Sequence, residues 1–212
     1  MSHDELHAAG SDRRFGQLPI EEMNSAQRAV NDWLVEYLHP EQMGTGATMG
    51  GPMAALLHNA KLAELTGQMA TLIFDELSLP RSATELAILL TARHWNCNFS
   101  FDTHRRYAIK FGIKSAVVDA IEIGARPELD GELDQVYDFA AQLLRDGDVS
   151  DEAFERVAHR WGRQGAVELI ATVGFSSMIA LVLNVDRYPV PVGRILPTVG
   201  DGRVGARFIE GA

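Results

Sequence analysis

Sulfur chemistry has little to work with in this chain of 212 residues, which holds a single cysteine, Cys97. No intramolecular disulfide can form, and a lone thiol is the usage of a reducing compartment. Positive charge is also scarce. Nineteen basic residues against 29 acidic ones leave a net charge of -10, and no Lys/Arg cluster offsets it, which argues against a nucleic-acid partner. No basic stretch followed by an apolar one stands near Met1–His7, so no signal peptide is read there. The uncharged run from Leu169 to Val185 is seventeen residues long, at the lower edge of what crosses a bilayer. Its Thr172, Gly174, Ser176, Ser177 and Asn184 suit a buried helix better than lipid. The expectation is a soluble cytoplasmic protein with no membrane partner.

Strand-like alternation, low-complexity tracts and exact repeats are missing as well. What remains is helical spacing, and the fold class is all-α. Hydrophobic residues make up 46% and charged ones 23%, enough for a substantial core. Residues 1–16 are polar and aperiodic and are expected to be a disordered tail. Apolar positions from Met23 to Leu38 recur at threes and fours over 21–38. Gly44–Pro52, with four glycines, reads as a loop, either a pocket mouth or a plain connector. Helical spacing resumes over Ala54–Leu77, interrupted near Asn59, and ends at Ser78-Leu79-Pro80. Helices then follow over Ser82–Trp95, Cys97–Phe111 closed by Gly112, Ser115–Ile123, 131–146, 150–162 and 164–185. The break near 126–132 is short, so 17–187 is taken as one domain. Pro189, Pro191, Pro197 and five glycines make 188–212 an irregular extension.

The stretch from Leu79 to His104 carries the chemistry. On a helical wheel of 100° per residue, Ser100, Phe101, His104, Ala108 and Phe111 fall within about 60° of Cys97, and Asp102, Arg106 and Lys110 fall opposite. Cys97, Ser100 and His104 therefore share a buried face, where each unpaired polar group costs about 1–3 kcal/mol. The preceding helix is apolar on nearly every side from Leu86 to Ala92, with Glu85 as its acid. If the two helices pair antiparallel through a turn near Asn96, Glu85 and His104 are offset by about 5 Å along the axis, within reach of two long side chains. They would form an acid and base couple beside the thiol.

Each residue has a plainer reading. Glu85 stands three places after Ser82, the spacing of a capping box. His104 could be a satisfied core histidine, and Cys97 a small buried hydrophobe, although the dipole at a helix start favours a thiolate. Ser100 has His104 at i+4 as a base but no glycine-flanked elbow, so a serine hydrolase is disfavoured. One Cys, one His and one Glu lack the paired spacing of a metal site, and neither metal nor cofactor is expected. His94-Trp95 reads as packing, and His39, His58 and His159 are isolated.

The pattern Pro80-x4-Glu85-x11-Cys97-x2-Ser100-x3-His104, with Ala108 and Phe111-Gly112-Ile113, resembles the carboxymuconolactone decarboxylase family, which includes the AhpD-like alkylhydroperoxidases. Gly51–His58, Val167–Phe175 and Leu183-Asn184-Val185 are also similar to it. The resemblance implies an all-helical AhpD-like fold around a central antiparallel helix hairpin, assembled as a homotrimer or homohexamer. In the peroxidase branch the motif is Cys-x-x-Cys-x-x-x-His with a glutamate twelve residues before the first cysteine. Here Ser100 replaces the second cysteine, which removes the dithiol cycle. The decarboxylase branch resembles this chain through His104, which would protonate a carboxylated unsaturated lactone with Glu85 setting its tautomer. Arg93 and Arg105 are the candidates to bind such an anionic substrate, unless both are ion-pair residues. The leading expectation is a small-molecule lyase using His104 and Glu85. A peroxiredoxin-type enzyme in which Cys97 is reset by an external thiol, and a catalytically silent oligomeric binding protein, are the alternatives.

Overall fold

A computed structural model describes residues 12–37, 49–190 and 195–198. Every regular element among them is helical. A 3-10 turn, Ile20–Glu22, leads to α1 (Ser25–Tyr37); α2 (Gly51–Leu56) and α3 (Ala60–Thr71) follow, and α3 runs on as a π-helical stretch over Leu72–Glu76. Then come α4 (Arg81–His94), α5 (Asn98–Lys110), α6 (Ser115–Glu122), α7 (Gly131–Asp146) and α8 (Asp151–Asp186). The all-α expectation holds.

Local chemistry explains most boundaries. Asn59 interrupts the pattern of 54–77 by capping α3, its side chain accepting the Leu62 N–H at 3.1 Å. Gly112, at φ +94°, closes α5 in the left-handed region. The expected pair of helices 150–162 and 164–185 is one element broken at Gly162, whose φ of 71° and ψ of 175° are not helical. Residues 44–48 of the glycine-rich loop lie outside the described residues; Gly51 and Pro52 are already helical, because proline is tolerated in a first turn. Residues 1–11 of the expected tail also lie outside. Residues 12–16 are held: the Arg13 guanidinium donates to Asp186 Oδ2 from Nε at 2.9 Å and Nη2 at 2.6 Å, and the Phe15 N–H donates to Asp186 Oδ1 at 2.9 Å.

The described chain divides into two compact units, where the sequence suggests one domain over 17–187. The first comprises residues 12–37, 49–75 and 181–190. In it α1 packs on α3 at Gly67, where an added Cβ would lie 2.6 Å from Leu34 Cδ2 and 2.7 Å from Trp33 Cζ3. Asn31 is fully buried and accepts the Met49 N–H through Oδ1 at 3.0 Å.

The second unit comprises residues 76–180 and 195–198. At its centre lies α4, buried without interruption from Ala83 to His94 and packed against α5, α6 and α7. Leu86, Leu89 and Leu90 of α4 share a core with Phe101, Val118, Val136, Phe139 and Leu169. By length and composition α8 could cross a membrane, the one such helix among the described residues. It does not match the expected buried helix on every side. Leu169 and Val173 enter the core, whereas Val167 and Ile170 face outward and are exposed. The polar residues between them, Glu168 and Thr172, are buried and hydrogen-bonded.

Gly67→Ala is expected to cost about 1–3 kcal/mol, the usual cost of overpacking, because the Trp33 ring and Leu34 must both shift. Urea unfolding followed by tryptophan fluorescence measures it, and an unchanged midpoint would show that the α1–α3 contact yields freely.

Candidate active site

The site is built on the hairpin of α4 and α5. Asn96 turns the chain with φ at +55°, a conformation asparagine tolerates better than most residues. Its side-chain Oδ1 accepts from Arg93 Nη1 at 2.7 Å, and the Cys97 N–H closes the turn on the Ala92 carbonyl at 2.8 Å. The antiparallel return brings the two halves of the motif together. His104 Nδ1 and Glu85 Oε2 are 2.8 Å apart, across the offset expected from helix geometry.

Glu85 has no exposed surface, and both of its oxygens are engaged. Oε2 takes His104, and Oε1 takes Arg81, from Nε at 2.9 Å and Nη2 at 2.8 Å. The capping-box reading is thereby corrected. The helix starts at Arg81 with Pro80 as its N-cap, one place before Ser82, and the Glu85 carboxylate bonds side chains. The His104 side chain keeps 14% of its surface exposed, so the imidazole is accessible from outside while its carboxylate is not. Such an arrangement can hold a proton at Nδ1 and exchange one at Nε2 with a bound molecule.

Ser100 is buried on α5 one turn before His104. Cys97 is the N-cap residue of α5 and is also buried. The expected stabilisation of a thiolate by the helix start is outweighed. Burial pushes the Cys97 thiol up to about 11 despite the opposing pull of the Ser100 and Phe99 backbone N–H groups.

The two arginines singled out for a substrate carboxylate have structural partners. Arg93 is fully buried; besides Asn96 it binds the Pro197 carbonyl, from Nη2 at 2.9 Å. Arg105 pairs with Glu122 and Asp119 of α6. His94 packs edge-on against Trp95 with ring centroids 5.0 Å apart. His58 and His159 are exposed, His58 lying against the Phe15 ring, and His39 lies outside the described residues. Among the described residues no group of three or more His, Cys, Asp or Glu side chains is arranged to hold a metal ion.

Sequence reasoning missed Arg81. The available signal was its spacing: Arg81 and Glu85 are an opposite-charge pair at i,i+4 at the start of a helix that is apolar from Leu86 to Leu90. It also missed Glu168, which fixes the approach to α4. Oε2 of Glu168 accepts from the Ser78 N–H at 3.0 Å, the Ser78 hydroxyl at 2.8 Å and the Leu79 N–H at 3.1 Å, while Oε1 accepts from Gln164 Nε2 at 2.8 Å. Burial disfavours the charged form of Glu168, but the bonds from Gln164, Ser78 and Leu79 outweigh it and hold the carboxyl below its ordinary value.

No family model matches the chain, and no curated protein matches it by sequence. Its fold is found in the crystal structure of an uncharacterized peroxidase-related protein from Silicibacter sp. TM1040, with a TM-score of 0.63 over 87% of this chain and 93% of that one. The two sequences are 14% identical, so the likeness is one of fold, and the all-helical architecture is consistent with the AhpD-like arrangement.

Two outcomes are expected. A carboxyl held low in the folded state contributes stability above its unfolded value near 4.5 and loses it as pH falls through the lower folded value. Glu168→Gln should therefore flatten the fall of Tm between about pH 5 and 3, and parallel curves for the two proteins would show that Glu168 contributes nothing there. Raising the thiol from 9.0 to about 11 lowers the thiolate fraction at neutral pH about a hundredfold. Iodoacetamide should alkylate Cys97 of the folded protein at least that much more slowly than the urea-unfolded chain, as followed by mass spectrometry.

Proposed function

We propose that this protein is a small-molecule enzyme that moves protons through His104 and Glu85, with chemistry of the carboxymuconolactone decarboxylase type. The observation that carries the reading is the 2.8 Å contact between an accessible imidazole and a carboxylate with no exposed surface. In decarboxylation of a carboxylated unsaturated lactone, the bond from carbon to the carboxylate breaks and carbon dioxide leaves. The electron pair enters the conjugated system, and a proton must be delivered to a carbon further along it. The His104 imidazolium supplies that proton from Nε2 and is recharged from solvent, while Glu85 holds Nδ1–H and stabilises the charged ring. This chemistry calls for no cofactor. In this reading Ser100, buried one turn away on the same helix face, contacts the same substrate.

A second reading is a single-cysteine peroxidase, supported by the description of the structural neighbour as peroxidase-related. The thiol argues against it. At a value of about 11, Cys97 is thiolate in only about one molecule in ten thousand at pH 7, and peroxide is attacked by thiolate. The same reading of the protein makes it a cytoplasmic homotrimer or homohexamer. The exposed Val167 and Ile170 of α8 and Leu62 and Leu65 of α3 support self-association, since apolar side chains of this size favour a covered surface.

Loss of absorbance of a carboxylated unsaturated lactone tests the proposal. His104→Ala is expected to lose about 10²–10⁴-fold in kcat/KM, the usual contribution of a positioned proton donor, with Cys97→Ser near wild type. Consumption of organic hydroperoxide that vanishes in Cys97→Ser, with no lactone turnover in wild type, would decide for the second reading.

A further inference from the structure

We infer that Arg81 is a positioning residue, which divides the Glu85 carboxylate so that one oxygen is kept for His104 and the imidazole is fixed as its Nδ1–H tautomer. The inference rests on the proton-transfer reading above and concerns a residue that the motif did not single out.

A guanidinium facing a carboxylate usually takes both oxygens through two parallel bonds. Here Nε and Nη2 of Arg81 both meet Oε1, at 2.9 and 2.8 Å, and His104 Nδ1 meets Oε2 at 2.8 Å. The carboxylate has no exposed surface, so water is not an alternative partner for either oxygen. A carboxylate joined to a guanidinium through Oε1 offers Oε2 as a hydrogen-bond acceptor. Nδ1 is then the donor in that contact, and Nε2 is the nitrogen that exchanges protons with a substrate in the proposed reaction.

The position of Arg81 is itself fixed from several sides. It is the first residue of α4, four places before Glu85, so the two side chains lie on one helix face. Its guanidinium carbon lies 5.2 Å from the centroid of the Phe111 ring at the end of α5, a cation–π contact. Just upstream, Ser78 and Leu79 are tied to Glu168. The Arg81 side chain is 20% exposed, so removing it admits water beside Oε1 and frees the carboxylate to rotate. His104 would then share its hydrogen between tautomers, and fewer molecules would present the reactive nitrogen in the right state.

The test uses the full chain with the His104 ring labelled with nitrogen-15, at a pH where the ring is neutral. Long-range proton–nitrogen correlation distinguishes the two tautomers directly. Wild type should show protonated Nδ1 and unprotonated Nε2. Arg81→Gln should show a mixture and lose about tenfold in kcat on the lactone, with KM within twofold, whereas Arg81→Lys, which keeps a cation on Oε1, should restore the wild-type tautomer. A wild-type ring that is mainly Nε2–H overturns the inference without any variant being needed, so a failure of Arg81→Gln to fold does not shelter it. An Arg81→Gln protein that is folded by circular dichroism and keeps the wild-type tautomer overturns it as well. If wild type turns over no lactone and the tautomer still depends on Arg81, the functional proposal fails and the inference about Arg81 is upheld.

Discussion

Glu85 places a charge inside a helix that is buried from Ala83 to His94, and an unpaired carboxylate there would cost several kcal/mol. Much of the second unit can be understood as the compensation for that charge. Arg81 has to stand one turn earlier, which requires the helix to begin at Arg81 rather than later. His104 has to come back across the hairpin, which requires the tight turn at Asn96. Glu168 then fixes the segment from which α4 starts. None of these contacts is large by itself. Each stabilises the same buried group, and removing one leaves the others bonded to a charge that has lost part of its compensation.

The hairpin was legible because its signals are local and redundant: an apolar run before Asn96, Gly112 as a terminator, and polar residues at three- and four-residue spacing on one face of α5. The pairing of Glu85 with His104 followed from helix rise alone. The roles of the arginines were not legible, because a guanidinium's partner is set by tertiary geometry. Arg93 meets Pro197, and Arg105 meets Asp119 and Glu122, and neither spacing has a sequence signature. The thiol was misjudged for a related reason. A helix start can be read from sequence, but the depth at which it is buried cannot, and for Cys97 depth governs.

The same contrast separates the two catalytic readings. Proton transfer needs a group that is reachable on one side and supported on the other, as His104 is, with 14% of its side chain exposed and a carboxylate behind it. Thiol chemistry needs an accessible sulfur stabilised as an anion, and Cys97 is neither.

The short segment 195–198 adds a constraint of a different kind. Leu196 donates its N–H to Asn98 Oδ1 at 2.9 Å and sits in the core, and the Pro197 carbonyl accepts from Arg93. These bonds brace both sides of the turn that joins α4 to α5, from partners 98 and 104 positions away in the chain. During synthesis, α4 and α5 leave the ribosome with their turn unbraced, and it stays so until residues 195–198 have been translated. The assembly of this site therefore waits on a segment 98 residues beyond Asn98 rather than on the motif that defines it.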